Sequence, residues 1–83
     1  MIMNYLEVLD SIIFQLELID EKESQNLQEI IDYSFTSTEL LLRSTSYLLH
    51  LRDRLDLGSS LTRLIDELVS FCNSIGLYPG SAR

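Results

Sequence analysis

The chain has 83 residues, a net charge of −7 and a hydrophobic fraction of 46%. That is one small domain with enough apolar side chain to build a core, which excludes a globally disordered protein. One cysteine and one histidine exclude an intrachain disulfide and a conventional zinc site, so packing must hold the fold, with help from a partner or a second copy.

The charge is uneven. Residues 1–39 carry nine acids and one base, Lys22, a net −8; residues 40–83 carry four acids and five arginines, a net +1. A negative half repels nucleic acid and anionic membrane, whose recognition needs lysine and arginine, and attracts a basic partner. The competing reading is that acidity only keeps a small protein in solution. Met1-Ile2-Met3-Asn4 lacks the basic start of a signal peptide, and Glu7 and Asp10 break the apolar run behind it. No apolar stretch reaches the roughly 20 residues that span a bilayer. A cytoplasmic protein is therefore expected, and a single thiol fits a reducing compartment.

Tyr5, Leu9, Ile12, Leu16 and Ile19 recur at three- and four-residue steps and predict a first helix from about Asn4 to Ile19. Asp20 is placed to cap a second helix, with Leu27, Ile30 and Ile31 as its short apolar stripe, ending near Tyr33. Thr36-Ser37-Thr38-Glu39 matches a capping box, and Phe35 and Leu40 stand at the two positions of a hydrophobic staple. The third helix should run from Ser37 to about Leu55. Gly58 suits a left-handed turn, and Ser59 or Ser60 is placed to cap a fourth helix. There Leu61, Leu64, Ile65, Leu68, Cys72 and Ile75 share one side, and Gly76 followed by Leu77 fits a C-terminal cap. Four helices with short breaks predict an all-α protein, a small antiparallel bundle of about four helices. The domain should span residues 1–78, with 79–83 a flexible tail.

Some apolar residues fall on the wrong side. Phe14 and Leu18 lie opposite the main face of the first helix, and Leu42 and Leu49 lie off the main face of the third. Two readings are open: an exposed patch for a partner or second copy, or local burial against a neighbouring helix or loop.

Catalytic chemistry is not indicated. His50 has Ser46, Tyr47, Asp53 and Arg54 one turn away, but one exposed helix face supplies neither a cleft nor an oxyanion site. Cys72 sits on a core face and reads as a small hydrophobe. The acid pairs Asp20/Glu21 and Asp66/Glu67 are adjacent in sequence and diverge on a helix. Arg43, Arg54 and His50 share one side of the third helix, too few cations for a nucleic-acid footprint. No glycine-rich phosphate loop is present. No catalytic residue, cofactor or metal is expected.

The stretch Leu55-Asp56-Leu57-Gly58-Ser59-Ser60-Leu61, running on to Leu68, resembles the segment around the phosphopantetheine serine of acyl carrier proteins. That resemblance implies attachment at Ser60, although Ser59 stands where those proteins have aspartate. A second resemblance covers most of the chain. Its size, acidic first half and the run Leu64-Ile65-Asp66-Glu67-Leu68, Cys72, Ile75-Gly76-Leu77 are similar to small acidic helical immunity proteins of bacterial toxin systems, including those of contact-dependent inhibition and the Maf-type polymorphic toxins. Maf-type members tend to have a Gly-Glu-like turn before the third helix, where this chain has Ser34-Phe35-Thr36. The resemblance implies stoichiometric binding to a cognate toxin domain, commonly a basic nuclease, with acidic side chains on its RNA-binding surface.

The expectation is a protein-binding inhibitor rather than an enzyme. Its contact residues would be Glu7, Asp10, Phe14, Glu17 and Leu18 on the outer side of the first helix, with Glu21 and Asp32 nearby. A homo-oligomeric helical protein, such as a homodimer burying the displaced apolar residues, is the alternative.

Overall fold

The computed structural model describes residues 4–78. The four expected helices form: α1 Tyr5–Ile19, α2 Glu21–Asp32, α3 Ser37–Arg54 and α4 Ser59–Ser74. No strand occurs among the described residues. The expected tail, 79–83, lies outside them.

Local chemistry explains the breaks. Asn4 Oδ1 accepts from the Leu6 and Glu7 amides and starts α1. Asp20 alone separates α1 from α2. Its extended backbone donates back to Leu16 O at 2.7 Å, and its carboxylate accepts from the Lys22 and Glu23 amides. One residue thus ends one helix and caps the next.

Two start signals differ from expectation. Thr36 Oγ1 accepts from the Glu39 amide at 3.1 Å, but the Glu39 carboxylate takes the Phe35 amide at 2.8 Å, one residue earlier than a capping box requires. Leu40 packs on the core, whereas Phe35 is 93% exposed, so the staple is not made. At α4 neither Ser59 nor Ser60 caps. Gly58 occupies the cap position with φ 84° and ψ 163°, and Asp56 Oδ1 accepts from its amide at 3.1 Å. Side chains other than glycine rarely tolerate that backbone conformation. Gly58→Ala is therefore expected to lower stability by about 1–2 kcal/mol through backbone strain alone, since an added Cβ would meet nothing within 4 Å. Urea unfolding of the variant measures this, and an unchanged midpoint would refute it.

The end of α4 forms as read. Gly76 adopts φ 87°, the Leu77 amide donates to Cys72 O at 2.8 Å and the Gly76 amide to Asn73 O at 3.2 Å, while Leu77 packs against the core. This double bond pattern satisfies the last carbonyls of the helix. Ile75, expected on the core side, is instead exposed, because it is the cap residue, where the chain turns away.

The helices form a closed ring in which α1 packs on α2 and α4, and α3 packs on α2 and α4. Their inward residues build one core: Leu9, Ile12 and Leu16 from α1, Leu27 from α2, Leu41, Leu48 and Leu51 from α3, and Leu61, Ile65, Leu68 and Cys72 from α4. Leu57, from the α3–α4 connection, is buried as well and closes one end. The buried hydroxyls find partners: Ser24 Oγ donates to Ile13 O, Ser44 Oγ to Leu40 O, and Thr45 Oγ1 lies 3.7 Å from Cys72 Sγ. Among the described residues, no buried side-chain nitrogen or oxygen is left unpaired.

The displaced apolar residues divide. Leu49 packs half-buried against the core and Leu42 is half-buried, so α3 does not present them as an open patch. Phe14 and Leu18 are 66% and 75% exposed.

Candidate functional site

With about 100° of rotation per residue, Glu7, Asp10, Phe14, Glu17 and Leu18 fall within an arc of roughly 100° on α1. That arc lies opposite Leu9, Ile12 and Leu16, whose burial fixes which way the helix faces. All five are exposed. The sequence pattern therefore forces two large apolar side chains outward, one turn apart, among three carboxylates.

Helix α2 continues the surface. The bond from Ser24 Oγ to Ile13 O sets α2 beside the flank of α1 that carries Asp10 and Glu17. Glu21 and Asp32 lie three turns apart on one line of α2, both exposed, Glu21 in its first turn and Asp32 in its last. Asp32 accepts from Gln28 Nε2 at 3.0 Å. Lys22 falls away from that line. The seven residues singled out by sequence thus occupy the outer side of α1 and the adjoining flank of α2. No cation among the described residues pairs with Glu7, Asp10, Glu17, Glu21 or Asp32.

Apart from Lys22, the cations lie in residues 40–83, and three of them are already engaged. Arg52 pairs with Asp66 at 2.7 Å, Arg54 with Glu23 at 3.4 Å and Arg43 with Glu39 at 3.7 Å. Intramolecular pairing takes up Glu23 of α2 but leaves Glu7, Asp10, Glu17, Glu21 and Asp32 to set the negative field of this face.

His50 and Asp53 are exposed, and among the described residues no side-chain hydrogen bond joins either of them to Ser46. Cys72 is buried, and burial pushes its thiol above the ordinary value, partly offset by Thr45. No group of three or more His, Cys, Asp or Glu among the described residues could hold a metal ion. A hollow of about 440 Å³ is lined by Ile30, Leu42, Arg43 and Ser46, an apolar floor with one charge and no acid–base pair. Among the described residues, no helix is long and apolar enough to cross a membrane.

The structure also shows a surface the sequence reading missed. Tyr5 stacks on Phe71 with ring centroids 5.7 Å apart, and its hydroxyl donates to Ser37 Oγ at 3.2 Å. The start of α1, the start of α3 and the end of α4 therefore meet at one end of the bundle. Leu6, Tyr33, Phe35 and Ile75 are all exposed there. The signal available in sequence was the staple position of Phe35, which pointed inward rather than outward. No protein-family model, curated protein or solved structure matches the chain.

Proposed function

We propose that the protein acts by binding rather than catalysis, as a stoichiometric inhibitor of a basic protein. In its most specific form it is a cytoplasmic immunity protein that neutralises a cognate bacterial toxin domain, such as a nuclease. The observation that supports this reading best is the outer face of α1. Phe14 and Leu18 stand exposed among Glu7, Asp10 and Glu17, with Glu21 alongside. Exposed apolar groups supply the buried contacts of an interface, and surrounding like charges steer a partner of opposite sign.

Co-expression with the product of a neighbouring gene tests it. A basic protein recovered in equimolar amount, whose toxicity the chain suppresses, is the expected result. Reversing Glu7, Asp10 and Glu17 to lysine should then slow association at least about tenfold at low salt, with less effect at high salt. An unchanged association rate would remove the steering role. Recovery of this chain alone as a defined oligomer would favour the homo-oligomeric alternative.

A further inference from the structure

We infer that the end of the bundle carrying Tyr33 and Phe35 is a second docking surface, one that takes a cationic protein segment with apolar side chains. It shares with the proposed function the acidity of the first half of the chain, but it stands on a different face and different anchors. Phe35 is 93% exposed and Tyr33 72% exposed. Both lie in the four-residue connection between α2 and α3, and Leu6 and Ile75 add exposed aliphatic surface at the same end. Two exposed aromatics in one short connection are the composition of an interface anchor.

The connection is held in place. The Tyr33 amide donates to Glu29 O at 3.0 Å and Ser34 Oγ to Ile30 O at 2.6 Å. The Phe35 amide donates to Glu39 Oε1 at 2.8 Å, and Thr36 Oγ1 accepts from the Glu39 amide. The displacement of the capping bond from Thr36 to Phe35 is what fixes the backbone with the ring outside. An anchor already ordered in the free protein loses little entropy on binding.

Charge selects the occupant. The parts of the chain at this end, residues 4–12, 29–41 and 70–78, contain no lysine, arginine or histidine, and every charged side chain in them is an acid. Glu29, Asp32 and Glu39 flank the aromatics; the first cation of α3, Arg43, lies one turn in and is taken up by Glu39. An anionic lipid surface is repelled by such a rim. A second copy would bring the same acids against each other. A cationic segment with apolar side chains satisfies both features.

The test uses a synthetic amphipathic helix, leucine on one face and lysine on the other, titrated into the protein and followed by backbone-amide NMR. The same peptide with glutamate for lysine is the control. Shifts should centre on Leu6, Tyr33, Phe35 and Ile75 with the lysine peptide and be absent with the glutamate peptide. Phe35→Ala should weaken binding about tenfold or more and, the ring being exposed, leave the thermal midpoint unchanged. If Phe14→Ala abolishes binding and Phe35→Ala does not, this surface is refuted and the α1 face stands. If Phe35→Ala abolishes it while charge reversal at Glu7, Asp10 and Glu17 has no effect, this surface stands and the α1 face fails. Absence of binding, or concentration-dependent shifts at these amides without peptide, refutes it.

Discussion

Leu48→Ala should destabilise the protein by about 2–5 kcal/mol and leave much of it unfolded at room temperature. Leu48 is fully buried near the middle of α3, among side chains from the other helices of the ring. Truncation removes its transfer energy and leaves a void that a tightly packed interior refills only in part. A domain of this size commands only about 3–5 kcal/mol in all, and no disulfide is available, because the lone Cys72 is free. Leu48→Met, which conserves volume, should cost less than about 1.5 kcal/mol. Leu18→Ala, at an exposed position, should stay within about 0.5 kcal/mol. Urea titrations followed by circular dichroism give all three values; a Leu48→Ala variant as stable as Leu18→Ala would contradict the core described above.

Tyr47→Phe is expected to lower stability by about 1.5–3 kcal/mol, the range for a hydrogen bond to a charged group, and to change its pH dependence at both ends. The Tyr47 hydroxyl donates to the Glu23 carboxylate, which Asn26 Nδ2 and Arg54 Nη2 also approach. The hydrogen bond from Tyr47 is the main cause that holds Glu23 below the usual carboxylate value, against the opposing effect of desolvation. Burial, reinforced by that bond, pushes Tyr47 up to about 12. A depressed carboxylate binds its proton less readily when folded, so its stabilisation is present above the ordinary glutamate value and lost as pH falls through the lower folded one. A raised phenol keeps its proton better when folded, so its stabilisation is complete below pH about 10 and is lost as pH rises towards the folded value. The wild type should therefore lose stability faster than Tyr47→Phe below about pH 4.5 and again above about pH 10. Parallel curves across the whole range would show that the contact joining α2 and α3 carries no protonation linkage.

Much of this architecture was legible in the residues, because helical periodicity is a local property. Leu9, Ile12 and Leu16 announce α1 and find the core; Leu61, Ile65, Leu68 and Cys72 do the same for α4. What periodicity could not give was the choice among equivalent local chemistries. Thr36 offered one amide and Phe35 another to the same Glu39 carboxylate, and the fold took the second. Ser59 and Ser60 looked like caps, but the extended turn at Gly58 put glycine in that position. Leu42 and Leu49 looked displaced because the sequence does not show which neighbours α3 has, whereas Phe14 and Leu18 lie far enough from the core line of α1 to stay mostly exposed. The network of Glu23, Tyr47 and Arg54 joins residues 24 and 31 positions apart and had no signature along the chain.

The closed ring also governs how the chain finds its structure. Three of its four helix contacts join consecutive helices, and the α1–α2 pair is linked through one residue. Such pairs form with little loop entropy to overcome, which places the protein among rapidly folding topologies of low contact order. The packing of α4 on α1 and the bond from Tyr5 to Ser37 of α3 bring distant parts of the chain together, and Tyr5, stacked on Phe71, belongs to that closure. Where such closing contacts are absent from the folding transition state, they act on how long the ring stays shut rather than on how quickly its parts assemble.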